Sequence, residues 1–111
     1  MNIPEQIKSL ELHDAPVGKI TFDPDHRTLP VEVHFYNEVK EDYDPKHLIF
    51  REANNITIGP LEEYDSLEIS SCDITPVQKN FKAEFLFLCG IEKQSWEISF
   101  EFRNFKIESR S

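Results

Sequence analysis

Apolar and polar residues alternate with a period of two through most of this chain, the pattern of strands that bury one face. The start is the exception. Ile3, Ile7 and Leu10 recur at helical spacing, with Asn2 and Glu5 at N-cap and N3 positions, which predicts a helix of about two turns. So short a helix is not stable alone in water, and its apolar stripe must dock on something larger.

Val17 to Asp23 reads as a first strand, with Ile20 and Phe22 on one face, broken by Asp23-Pro24-Asp25-His26. Val31, Val33 and Phe35 alternate with Glu32, His34 and Tyr36 in a second. A charged loop from Asn37 to Pro45 follows. His47 to Ile58 is again extended in character, interrupted at Ala53-Asn54-Asn55 by a predicted bulge or tight turn. Gly59 to Asp65 reads as an acidic loop, and Leu67, Ile69 and Ser71 carry the inward face of a shorter strand that Pro76 ends. Phe81, Ala83, Phe85, Phe87 and Cys89 alternate with a second series that includes Leu86 and Leu88, so this strand is apolar on both faces and reads as central. Trp96, Ile98, Phe100 and Phe102 alternate with Glu97, Ser99, Glu101 and Arg103. Phe105 and Ile107 fall out of phase with them by one residue, which makes Arg103-Asn104 a candidate bulge.

Six strands without helical crossovers predict a mostly β fold, a single curved antiparallel meander. The short N-terminal helix would cover Leu86 and Leu88 on the sheet's second face. With 111 residues, the chain is expected to form one β domain over 1–111.

Composition narrows the function classes. Hydrophobic residues make up 39% and charged residues 30%, enough grouped apolar material for a folded core. A formal charge of −9 and a pI near 4.8 set the mean field against phosphate backbones and anionic lipid headgroups, so neither nucleic acid nor a membrane is an expected partner. The same field keeps a domain soluble and steers basic proteins toward it. No run approaches the roughly 18 apolar residues of a membrane span, and Met1 to Leu10 lacks the basic-then-apolar order of an export signal. Cys72 and Cys89 form no CxxC or CxxH pattern and read as buried, reduced cysteines; a disulfide between neighbouring strands stays open for an exported chain.

Candidate chemistry is sparse. His13 and Asp14 are adjacent, but neighbouring strand residues face opposite ways, so a turn stabilised by Asp14 and a carbonyl bonded by His13 fit better than a catalytic dyad. His13, His26, His34 and His47 are scattered and match no ligand pattern, so no metal site is expected. Glu38, Glu41, Asp42 and Asp44 offer oxygens to a hard cation but lack the EF-hand order, and read as a solvated loop. There is no nucleophile elbow, and glycines 18, 59 and 90 are isolated, so no phosphate-cradling loop or nucleotide cofactor is expected. The aromatic stripe Phe81, Phe85, Phe87, Trp96, Phe100 and Phe102 can build the core or line a small-ligand cavity.

Leu12-His13-Asp14-Ala15 ahead of a β meander, closed by Phe100-Glu101-Phe102-Arg103-Asn104-Phe105-Lys106-Ile107, resembles a group of small uncharacterised bacterial β-sheet domains that open with a Leu-His-Asp motif. Some of these are grouped with immunity proteins of polymorphic toxin systems. The resemblance implies a cytoplasmic protein that binds and blocks a toxin domain, and the acidic charge suits a basic, nuclease-type partner. The expected role is therefore protein binding without catalysis, through the acidic loops holding Glu38, Glu41, Asp42, Asp44, Glu62, Glu63 and Asp65. A carrier of small ligands on the aromatic face is the alternative.

Overall fold

The computed structural model describes residues 2–58, 67–89 and 94–109, with the backbone alone at Gln94. One short helix, α1 (Ile3–Lys8), precedes eight strands: β1 (Val17–Ile20), β2 (Leu29–Asn37), β3 (Asp42–Arg51), β4 (Asn54–Ile58), β5 (Leu67–Val77), β6 (Asn80–Cys89), β7 (Gln94–Phe102) and β8 (Asn104–Ser109). They form two four-stranded antiparallel sheets, in the orders β1-β2-β3-β8 and β4-β7-β6-β5.

The mostly antiparallel β class is as expected, but the single six-stranded meander is not. Two of the six predicted strands split where the alternation breaks. The third divides into β3 and β4 around Glu52 and Ala53, and the last into β7 and β8 at Arg103. These breaks are corners. Arg103 N–H donates to the Arg51 carbonyl at 3.0 Å and Ala53 N–H to the Arg27 carbonyl at 2.8 Å, so a continuous two-stranded ribbon bends from one sheet into the other. Bulged residues increase local twist and turn a ribbon in this way. Pairing of β3 with β8 and of β4 with β7 also rules out a meander, in which each strand would pair with its sequence neighbours.

Strand lengths differ from expectation for a related reason. Asp42 to Pro45, expected in a loop, belongs to β3, because Asn37 Oδ1 accepts from the N–H groups of Val39 and Lys40 and tightens the turn to four residues, 38–41. Pro76 does not end β5, which runs on to Val77; β5 is an edge strand, where a missing N–H costs no ladder bond. At β1, strand structure ends at Ile20, and Phe22 is exposed instead of sharing the inward face of Ile20.

The inner faces meet in one core. Phe50 touches Phe85, Phe100, Phe102 and Phe105 with ring centroids 4.9–5.9 Å apart, mostly edge to face. Leu29, Val31, Val33, Leu48, Ile69 and Phe87 complete it, each essentially sealed from solvent. Phe105 returns to this core past the Arg103 bulge, whereas Ile107 stays 40% exposed.

Helix α1 is capped as its sequence suggests, with Asn2 Oδ1 accepting from Glu5 N–H at 2.9 Å. Its docking place differs from expectation. Ile7 is buried in the common core, and the helix lies against Cys72 and Ile74 on β5 instead of over Leu86 and Leu88. Ile3 and Leu10, half-buried, pack against the same core beside Ile7. Leu86 and Leu88 remain half-buried.

Candidate functional site

The segment Leu12-His13-Asp14-Ala15 laces the two sheets together. Leu12 is buried in the core. Asp14 N–H donates to the Ile69 carbonyl at 2.7 Å, Ile69 N–H donates back to Ala15, and His13 Nδ1–H donates to the Ser70 carbonyl at 2.8 Å. Ile69 and Ser70 sit where the register of β5 slips against β6, so the slip frees backbone groups for the incoming chain. Pro16 then bridges to Glu68 and leads into β1. The His-Asp pair is thus part of the scaffold; its side chains are 3.4 Å apart and largely exposed.

The remaining histidines occupy separate places. His26 Nδ1–H donates to Asp23 Oδ2 at 2.7 Å, and that bond is the main cause holding the Asp23 carboxyl below its ordinary value. His34 and His47 flank Glu32 on the outer face of the first sheet, 3.2 and 3.3 Å from its two oxygens. No group of three or more His, Cys, Asp or Glu among the described residues is placed to hold a metal ion.

Cys72 faces Phe85 and Cys89 faces Leu67, both unpaired and half-buried. Burial, reinforced by the charge of Asp73, pushes the Cys72 thiol up to about 12. The aromatic stripe is packed ring on ring: Phe85 stacks on Phe87 and Phe100, and Trp96 lies on Phe87.

The β2–β3 hairpin end gathers the most distinctive surface. Tyr36 and Tyr43 are cross-strand partners with ring centroids 5.4 Å apart at 67°, and they are 57% and 48% exposed. Beyond them Val39 is 94% exposed. Glu38, Glu41 and Asp42 lie within three residues of it in the chain, exposed and without ion-pair partners among the described residues. Asp44 behaves differently. It accepts from Asn37 Nδ2 at 2.8 Å and pairs with Lys40 Nζ at 3.2 Å, and these bonds hold its carboxyl below the ordinary range. Of the expected contact residues, Glu38, Glu41 and Asp42 therefore come together at a free tip, while Asp44 braces it. Glu62, Glu63 and Asp65 lie outside the described residues.

A second acidic surface escaped the sequence reading. On the outer face of the second sheet, Asp73 stands directly opposite Glu84, and Glu97 joins them around a shallow hollow with Thr57, Ser71 and Ser99. These carboxylates come from β5, β6 and β7, and only the pairing register brings them together. Cross-strand like charges oppose folding, so the arrangement does not arise from stability.

Comparison with models of protein families, with curated proteins and with solved structures finds no match. No helix among the described residues is long and apolar enough to cross a membrane.

Proposed function

We propose that this is a noncatalytic protein-binding domain whose partner is basic, engaged through the β2–β3 hairpin end. The observation that carries the reading is the Tyr36–Tyr43 pair with Val39 beyond it, apolar surface held in solvent at a hairpin end that also carries the exposed carboxylates Glu38, Glu41 and Asp42. Tyrosine supplies large contact area at low entropic cost, and the negative charge speeds encounter and selects against acidic proteins. The network of Asn37, Lys40 and Asp44 fixes the tip before binding, which lowers the ordering cost of association. The acidic face at Asp73 and Glu84 adds to the same long-range field.

The most concrete version is an immunity protein that neutralises a basic toxin domain in the cytoplasm. Two unlinked thiols, set apart on β5 and β6, suit a reducing compartment. The test is an affinity capture from the native host at two salt concentrations, comparing the wild type with E38K/E41K and with Val39→Asp. The reading expects one basic protein, encoded beside this gene, held by the wild type at low salt, released at high salt and lost by both variants. Equal capture by wild type and variants would remove the hairpin end as the contact surface.

A further inference from the structure

An open hollow of about 630 Å3 lies on the outer face of the first sheet, next to the corner where the ribbon bends. Its floor is Pro30 and Ile49, cross-strand partners on β2 and β3. Ile49 stands opposite Lys106 and Arg51 opposite Asn104, so β8 lines the same hollow with two polar side chains. The turn between β1 and β2 closes the far side with Asp23, His26 and Thr28.

Most charged side chains around this hollow stand in close ion pairs. Asp23 is bonded to His26 at 2.7 Å, Glu52 lies 3.9 Å from Arg103, and Lys106 is paired with Glu108. Arg51 makes no ion pair within 4 Å among the described residues, although its charge reaches Glu108 and helps lower that carboxyl. A guanidinium cannot shed its charge, and its planar fork matches the two oxygens of a carboxylate. Standing beside a floor of proline and isoleucine, it offers a polar anchor next to an apolar surface, the composition of small-ligand sites.

We propose that this hollow binds a small organic anion, a planar carboxylate carried on an apolar ring. Arg51 takes the carboxylate in a two-pronged hydrogen bond, the ring rests on Pro30 and Ile49, and Asn104 and Lys106 supply further N–H donors. The volume falls within the roughly 300–1,000 Å3 of small-molecule sites. Protein-wide negative charge opposes any anion, so binding relies on the local cation. The site lies at the Arg51 end of β3 and the acidic hairpin at the Asp42 end, so the two activities stand or fall separately.

Benzoate is the probe, with benzamide as its uncharged counterpart, in an amide-resolved NMR titration at constant ionic strength. Saturable shifts centred on Ile49, Arg51, Asn104 and Lys106 are expected with benzoate and not with benzamide, with a dissociation constant of about 1 mM. Arg51→Gln should weaken benzoate by about tenfold or more while the rest of the spectrum superposes. Arg51→Lys, which keeps the charge and removes the fork, should also weaken it and serves if the glutamine variant disturbs the corner. Shifts that fail to saturate, an equal response to benzamide, or unchanged affinity in both variants would each overturn the proposal.

Discussion

His13 reaches across from the N-terminal segment to the Ser70 carbonyl of β5, and that 2.8 Å bond lies at the seam between the two sheets. Beside it, Asp14 adopts a left-handed backbone with φ of 65°. His13→Ala is expected to lose about 0.5–1.5 kcal/mol, the worth of one hydrogen bond. Asp14→Gly should leave stability nearly unchanged, since glycine takes this φ freely, whereas Asp14→Val should cost about 1–3 kcal/mol. Urea denaturation of the three variants checks the pattern. A valine variant as stable as the wild type would show that the seam relaxes around the new side chain.

The same segment shows how much of the architecture was legible beforehand. Alternation revealed the apolar face of nearly every strand, and the breaks at Ala53-Asn54-Asn55 and Arg103-Asn104 were visible as breaks. What they do was not visible, because a flat sheet and a sheet folded at its bulges bury the same alternate residues. Only pairing between distant segments, such as Phe50 with Phe105, separates the two cases. The hairpin tip could be read in part, since Glu38, Glu41 and Asp42 fall within one short stretch of sequence. Arg51, Lys106 and the 23–28 turn are joined only by register, and so are Asp73 and Glu84.

Gly18 sits under Glu32 with no room for a side chain. A Cβ there would lie 2.4 Å from Glu32 Oε1 and 2.8 Å from His34 Nε2. The obstruction is the end of a side chain, so Gly18→Ala should fold while displacing Glu32 from its imidazole partners. The expected loss is about 1–2 kcal/mol, lessened by alanine's smaller unfolded-state entropy. Adding Glu32→Ala should remove most of the penalty of Gly18→Ala, and a double-mutant cycle measures that coupling. Additive losses would mean that the alanine is accommodated without moving Glu32.

The cysteines should be slow to react in the folded protein. With its thiol pushed up to about 12, Cys72 holds only about one part in 10,000 as thiolate at pH 8. Burial raises Cys89 as well. Ellman's reagent should therefore label the native protein slowly and both thiols promptly in denaturant. Oxidation should form no internal disulfide, because Phe85 and Cys89, the rungs of the two thiols, are four residues apart on β6, about 14 Å, twice the reach of a disulfide. A rapid native reaction at Cys72 would require β5 to open locally.

Asp73 and Glu84 face each other across β5 and β6, so replacing one acid should stabilise the domain. Asp73→Lys converts repulsion into attraction, and a gain of about 0.2–1 kcal/mol is expected at low ionic strength. Salt should erode it, because both side chains are exposed and screening weakens attraction and repulsion alike. Thermal melts of wild type and variant at two salt concentrations read the difference directly. Natural sequences retain destabilising surface charge where it serves contact with something else, so the same variant should also bind the basic partner more slowly. A stabilised variant with unchanged association would separate this face from recognition and leave the hairpin end to account for it.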